Sequence, residues 1–188
     1  MSGEKKRNRP GRLPNYDYSS EGYYFVTFCT RNRDCCLSSI EKMDGETCVG
    51  RGALAPSRVV LKEPGRILEE LIQNIPKVYP GIKADKYVIM PNHVHLLIHI
   101  GKEEDGNGDG GARAPRPTKA PHPTENSRPT VQMIVGGIKS LTRRKVGRPI
   151  WQTTFYDHII RNEADYLRIW QYIDTNPAKW EEDEYYIQ

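Results

Sequence analysis

The stretch YVIMPNHVHLLIHI, residues 87–100, constrains the fold more strongly than any other part of the chain. Pro91 and Asn92 are turn residues, and the residues after them are apolar or histidine. Because successive side chains of a strand point to opposite faces, His93, His95 and His99 share one face, and an unbroken apolar face lies opposite. The pattern predicts a strand over 93–100, paired in a hairpin with a strand over about 84–90.

The remaining hydrophobic patterns predict an α+β fold. Aromatic and β-branched residues at 23–30 are typical of a strand, and apolar residues at helical spacing mark helices. Besides the hairpin we expect a strand at 23–30, helices at about 64–75, 131–145 and 163–176, a strand or extended segment at 150–156, and no regular element at 31–57. This order matches a split βαβ (ferredoxin- or RRM-like) antiparallel sheet with helices on one face, plus a C-terminal helix that carries a tyrosine.

A length of 188 residues suits a single domain. We expect a basic N-terminal arm at 1–22 and a domain at 23–180. The domain carries a disordered insertion at about 101–130, where five glycines and five prolines fall among thirty residues. No apolar run approaches the roughly 20 residues of a membrane span, and the four cysteines lack the spacing of a zinc site or a disulfide framework. These features predict a cytoplasmic protein with reduced thiols.

Two histidines two residues apart on one strand face form a candidate metal site. The imidazoles of His93 and His95 lie close enough to hold one divalent cation, because neutral imidazole is a common ligand for such ions. The alternative is that both are solvated or hydrogen-bonded strand histidines without a ligand, which is a frequent environment for this residue. His99 lies one pair further along the strand and is expected to be structural or to support the ligands.

The last predicted helix supplies a candidate partner for these histidines. On a helical wheel Tyr172 lies among polar residues, with Asn176 one turn later on the same exposed face and Pro177 ending the helix. Most tyrosines in such helices are core or boundary residues, so this position is unusual. A phenol beside a metal-bound phosphodiester is a workable nucleophile, and the phosphotyrosine bond that it forms retains the energy for rejoining DNA. The arrangement favours strand transfer on single-stranded or hairpin DNA.

Three segments carry a family resemblance. YVIMPNHVHLLIHI resembles the His-hydrophobic-His motif of the IS200-like transposases, and FYDHIIRNEADYLRIWQYIDTNPAKW (155–180) resembles the C-terminal motif of the REP-associated tyrosine transposases. GRLPNYDYSSEGYYFVTFCTRNR (11–33) is similar to the N-terminal segment of the latter group. The resemblance implies HUH single-strand endonuclease chemistry on a split βαβ domain. It also implies an Mg²⁺ or Mn²⁺ cofactor and a monomer or homodimer.

The resemblance also assigns roles to individual residues. His93 and His95 match the metal-binding pair, Tyr172 the nucleophile, and Asn176 the polar metal-side residue one turn after it. Asparagine replaces the glutamine of the insertion-sequence members and is one methylene shorter, which makes direct ligation by Asn176 less secure than ligation by the histidines. The insertion at about 101–130 also departs from the family pattern.

Cationic side chains are the expected contacts to DNA. The net charge of +4 is only a mild bias toward polyanions, so the candidates are local clusters. They lie in the arm and near the second helix: Lys5, Lys6, Arg7, Arg9, Arg12, Lys139, Arg143 and Arg144. An ordinary solvated charged surface is the alternative for any one of them. The resemblance implies that the N-terminal segment helps to recognise a short tetranucleotide beside a palindromic hairpin, and that the protein associates with the nucleoid.

The functional expectation is therefore metal-dependent nicking and joining at hairpin-forming, REP-like repeats through a 5′-phosphotyrosine. Two alternatives remain at this stage. One is a replication or mobilisation initiator with the same chemistry, which the short chain disfavours. The other is a regulator that binds hairpin DNA without cleaving it.

Overall fold

The computed structural model of the protein describes residues 16–42, 57–101 and 129–187. The elements in chain order are β1 (Gly22–Cys29), β2 (Ser38–Lys42), β3 (Ser57–Leu61), α1 (Glu63–Gln73), α2 (Ile75–Val78), β4 (Ile82–Ile89), β5 (His93–Ile100), α3 (Val131–Val146), β6 (Tyr156–Ile160) and α4 (Glu163–Thr175). Short 3₁₀ segments occupy Arg31–Arg33 and Pro177–Glu182. The three predicted long helices are confirmed, with small shifts at their ends.

Four strands form one antiparallel sheet with the order β4-β5-β1-β6. The hairpin of β4 and β5 is the predicted one. In the register of the sheet, Thr27 of β1 lies between His95 of β5 and Tyr156 of β6. Because β1 lies between the hairpin and the last strand, the topology is that of the split βαβ sandwich. The predicted fold class is confirmed.

The two faces of the sheet are covered by different helices. Even-numbered side chains of β1 and β5 are buried in one large cluster with residues of α1 and α3. On the other face, Phe25 of β1 forms a buried cluster with Ile169 and Ile173 of α4. The face that carries the histidines is therefore closed by the C-terminal helix.

The expectation that 31–57 holds no regular element is wrong. β2 and β3 form a separate two-stranded antiparallel sheet, in which Ser38 pairs with Leu61. Each strand has only five residues, and they are far apart in sequence, so neither alternation nor a tight turn identifies them. Ile40 and Val59 pack against the cluster beneath α4, and this tertiary contact stabilises the pair.

Of the two alternatives for 150–156, a strand or an extended segment, the strand is wrong. Between 150 and 155 only Trp151 pairs, in a single bridge with Thr30, and β6 begins at Tyr156. Ile150 is buried in the core, and the Trp151 ring packs 5.0 Å from that of Phe28. These apolar residues anchor a connecting segment, so their hydrophobicity reflects core packing and not a continuous strand.

Parts of the predicted domain organisation fall outside the described residues. The arm at 1–22 lies mostly in residues 1–15, and the insertion at about 101–130 lies mostly in residues 102–128. Within the described ranges no helix has both the length and the apolar character needed to cross a bilayer.

Candidate active site

His93 and His95 lie side by side at the start of β5, and both side chains are buried. Their Nε2 atoms are 3.1 Å apart. The other ring nitrogens have partners of their own: His93 Nδ1 lies 2.9 Å from Asn92 Oδ1, and His95 Nδ1 lies 2.8 Å from Thr27 Oγ1. These hydrogen bonds orient the rings so that the two Nε2 atoms converge.

Burial determines the charge of this pair. Desolvation lowers the pKa of His93 well below its usual range, and the neighbouring His95 and Arg33 lower it further. Desolvation likewise lowers the pKa of His95 to about 3. Both imidazoles are therefore neutral near neutral pH, which is the form that offers a lone pair to a divalent cation.

The Tyr172 hydroxyl lies 3.3 Å from His95 Nε2. α4 positions it there because Ile169 and Ile173, on adjacent turns, are buried against the sheet. The tyrosine ring lies edge-on to that of Phe25 and is 38% exposed. Desolvation raises the pKa of Tyr172 to about 12, with Asp183 and Glu184 adding to the effect. The phenol therefore keeps its proton near neutral pH.

Asp183 is a third group at the histidine pair, and the sequence analysis did not identify it. One carboxylate oxygen lies 4.0 Å from His93 Nε2, and the side chain is 3% exposed. The candidate ligand atoms of His93, His95 and Asp183 all lie within 4.8 Å of one another. In sequence Asp183 is one of four consecutive acidic residues after the last helix, and nothing in its spacing distinguishes it from its neighbours.

Asn176 is buried, so the expectation that it shares an exposed helical face with Tyr172 is wrong. After Pro177 the chain turns, and Asp183 Oδ2 accepts a 2.8 Å hydrogen bond from Asn176 Nδ2. Asn176 Oδ1 is also buried and has no hydrogen-bond partner among the described residues. The structure therefore places Asn176 against Asp183 and leaves it one unsatisfied acceptor.

The chemistry of the donor set fits a divalent cation. Neutral imidazoles, a carboxylate and an amide oxygen are all ligands that Mn²⁺ accepts in proteins, whereas Mg²⁺ prefers oxygen. Thr27 and Asn92 leave the Nε2 lone pairs available, because a threonine hydroxyl and an amide oxygen can each accept from an Nδ1–H group. His93, His95 and Asp183 would hold the ion, with Asn176 next to the carboxylate.

None of the predicted DNA-binding cations within the described residues lies at this site. Lys139 donates hydrogen bonds to the backbone carbonyls of Gln152, Thr153 and Thr154, and burial lowers its pKa. Arg143 and Arg144 are exposed in the last turn of α3, on the opposite side of the sheet from α4. The five cations of the arm lie outside the described residues.

His99 takes no part in the cluster around His93 and His95. Its ring packs 4.5 Å from that of Tyr23, near the other end of β5. This position agrees with the expectation that His99 is structural.

Comparisons with known proteins identify a relative by sequence and a solved structure with a similar fold. No protein-family model matches the chain. A solved structure described as a REP-associated tyrosine transposase bound to a REP hairpin is similar over 88% of this chain and 72% of its own, with a TM-score of 0.52 and 20% identity. At that identity the likeness shows a shared fold. An uncharacterized protein of Haemophilus influenzae is 32% identical over 182 residues, which cover 94% of this chain and 91% of the relative. The chain belongs to the same family as this Haemophilus influenzae protein.

Proposed function

We propose that the protein is a metal-dependent, REP-associated tyrosine transposase of the IS200-like, HUH type. It nicks and joins DNA at hairpin-forming repeats through a covalent 5′-phosphotyrosine. The observation that carries the proposal is the distance of 3.3 Å between the Tyr172 hydroxyl and His95 Nε2, beside a second histidine and a carboxylate. A phenol at the edge of a converging ligand set is the arrangement that this chemistry requires.

His93, His95 and Asp183 are the proposed ligands, and Asn176 holds Asp183 in place. A bound Mg²⁺ or Mn²⁺ would polarise the scissile phosphate and neutralise the charge that develops on it. The protein itself orients the ligand rings through Thr27 and Asn92 and excludes water from them by burial. The nucleophile remains at the boundary of this buried cluster, where a DNA strand can reach it.

The transfer step balances without a co-reactant. The Tyr172 oxygen forms a bond to phosphorus as the bond from phosphorus to the 3′-oxygen breaks. The phenolic proton leaves Tyr172, and the departing oxygen gains a proton to become a 3′-hydroxyl. The same attack by the 3′-hydroxyl of a second strand reverses the step and joins DNA, and it restores the free phenol.

Hairpin DNA is the proposed substrate because the structural relative is described as bound to a REP hairpin. The arm and the end of α3 supply the proposed backbone contacts: Lys5, Lys6, Arg7, Arg9, Arg12, Arg143 and Arg144. Lys139 is the weakest of the sequence candidates because three backbone carbonyls hold its ammonium group.

The test is a covalent adduct. Labelled hairpin oligonucleotides with single-stranded flanks, taken from repeats beside the gene, are incubated with the protein and Mn²⁺ and analysed on denaturing gels. The wild type should give a labelled protein band, and Tyr172→Phe should give none. Tyr87→Phe is the matched control, because the Tyr87 hydroxyl bonds to Gln73 and Glu69 away from the site.

Three outcomes decide between the candidate functions. Cleavage without an adduct rejects Tyr172 as the nucleophile. Tight hairpin binding with neither cleavage nor adduct supports the regulator that binds without cleaving. An adduct that Tyr172→Phe abolishes and Tyr87→Phe retains supports the transposase.

A further inference from the structure

A cavity of about 300 Å³ lies beside Tyr172, between α4 and β6. Its floor is the sheet face that carries Phe25, Thr27, His95, Tyr156 and His158. One wall is α4, and the other is the segment after Pro177–Glu182. The volume is at the lower end of the range for small-ligand pockets and suits a single planar ring system.

Aromatic rings dominate this cavity. The Tyr156 ring is 39% exposed at the start of edge strand β6, and its centre lies 6.4 Å from that of the Phe25 ring. Tyr172 and Tyr185 line the cavity as well, each beside His95. An exposed aromatic face at the mouth of a pocket offers a stacking partner to any planar ring that enters.

The polar groups of the cavity include a positive and a negative side chain. Arg168 and Glu184 line it together with Tyr172, from α4 and from the C-terminal segment. Asp165 holds the Arg168 guanidinium and also accepts a 2.7 Å hydrogen bond from His158. Although burial alone would raise the pKa of Asp165, these two hydrogen bonds lower it, so the carboxylate stays ionised as an anchor for the guanidinium. Arg168 is thus positioned before any ligand arrives.

We propose that this cavity binds one unpaired nucleobase of the DNA strand, that of a nucleotide next to the scissile phosphate. Tyr156 stacks on the base, and Arg168 and Glu184 bond to its polar edge. The inference rests on the proposed function, because Tyr172, the nucleophile of that proposal, is one of the residues that line the cavity.

A base fits these groups better than an isolated phosphate does. The charge of Glu184 offsets that of Arg168, so the cavity as a whole is a weak attractor for an anion. A base edge presents hydrogen-bond donors and acceptors together, which a carboxylate and a guanidinium satisfy at once. Aromatic walls contribute little to phosphate binding, whereas stacking stabilises a base that has left its neighbours.

The test is abasic scanning of a binding-competent, non-cleaving protein. The probe is the hairpin oligonucleotide that Tyr172→Phe protein binds most tightly, with a single abasic site placed in turn at each unpaired position. For the Tyr172→Phe protein, an abasic site at one of these positions should lower the affinity about tenfold, as expected for the loss of one base stack. In the double variant with Tyr156→Leu, the abasic site at that position should no longer lower the affinity. In the double variant with Tyr156→Phe, which keeps the ring, it should still do so.

Base preference gives a second readout. At the sensitive position, Arg168→Ala and Glu184→Gln should each change which of the four bases binds best. Arg66→Ala removes the same charge from an exposed arginine on α1 and should leave the preference as it is.

The inference is overturned if no abasic position distinguishes Tyr156→Leu from its parent. If the Tyr172 adduct nevertheless forms, the proposed function stands and only the base pocket is rejected. If the effect of the abasic site depends on Tyr156 but the protein that retains Tyr172 forms no adduct, the base pocket stands and the nicking function is rejected.

Discussion

At the scale of single residues, the candidate site depends on side chains that hold other side chains in position. Thr27 and Asn92 bond the Nδ1 atoms of the two histidines, and Asn176 bonds Asp183. Each of these residues is buried, so a lost hydrogen bond there leaves a polar atom without solvent to replace it. Groups of this kind commonly change metal affinity by about 10- to 100-fold when they are substituted.

Asp183→Asn tests the proposed ligand that the sequence did not reveal. The change keeps the shape of the side chain and its contact with Asn176 but removes the negative charge 4.0 Å from His93 Nε2. Because a carboxylate attracts a divalent cation more strongly than an amide does, Mn²⁺ affinity measured by calorimetry should fall at least about tenfold. Asp174→Asn is the control, since that carboxylate pairs with Lys86 on the surface. Equal affinities in the two variants would exclude Asp183 as a ligand.

The buried histidines predict acid sensitivity. Their pKa values are lowered in the folded protein, to about 3 for His95 against 6.5 in the unfolded chain, so below pH 6.5 the unfolded state binds more protons. The free energy of unfolding should be highest above pH 6.5 and decrease as the pH falls toward 3, by up to about 1.4 kcal/mol per pH unit for each histidine.

Urea denaturation in EDTA between pH 7.5 and 4.5 measures this effect. His95→Gln should show a shallower decrease than the wild type, and taking the difference between the two curves cancels the titration of the carboxylates. Parallel curves for the two proteins would contradict the assignment of buried neutral imidazoles.

At the scale of elements, periodicity identified the long helices and the hairpin because their patterns are local. The same method missed β2 and β3, which are stabilised by contacts with the cluster under α4. It misplaced β6 because the hydrophobic residues Ile150 and Trp151 pack in the core and form only one isolated bridge, not a strand. It placed Asn176 on an exposed face because the segment that folds back after Pro177 leaves no periodic signal.

Two glycines in helices should respond to alanine in opposite directions. A Cβ on Gly65 in α1 would lie 2.1 Å from the backbone oxygen of Leu37, whereas one on Gly136 in α3 meets nothing within 4 Å. Gly65→Ala should therefore lower the free energy of unfolding by about 1–3 kcal/mol through overpacking. Gly136→Ala should raise it by about 0.5–1 kcal/mol, because alanine loses less backbone entropy. The urea midpoints of the two variants measure these changes. Stabilisation by Gly65→Ala would contradict the close contact between α1 and the backbone of Leu37.

At the scale of the whole molecule, the candidate site joins four separated parts of the chain. β1 contributes Thr27, β5 the two histidines, α4 Tyr172, and the C-terminal segment Asp183. The sheet supports two of these parts directly, and the cluster around Ile169 and Ile173 fixes the third. The proposed activity should therefore depend on the complete fold and not on any one motif.

Deleting residues 1–12 tests the electrostatic contribution of the arm. Five cations are lost, so hairpin affinity should fall and the slope of log K against log salt should become shallower, by about 0.7–0.9 for each phosphate contact removed. Fluorescence anisotropy at several salt concentrations measures this slope. A chain with the order of residues 2–12 scrambled keeps the charge and should keep the slope. A deletion that leaves the slope unchanged would show that the arm makes no phosphate contact.

The sequence by itself determined the β5 strand with its paired histidines, the helix that carries Tyr172, and the α+β class, because these follow from side-chain periods of 2 and 3.6 residues. Only the tertiary structure decided that Asp183 joins the histidines, that Asn176 is buried, and that Tyr156, Arg168 and Glu184 share a cavity with Tyr172. The physical reason is that these groups meet through the docking of α4 and of the C-terminal turn on the sheet. That docking depends on contacts between residues distant in sequence, and no local pattern encodes it.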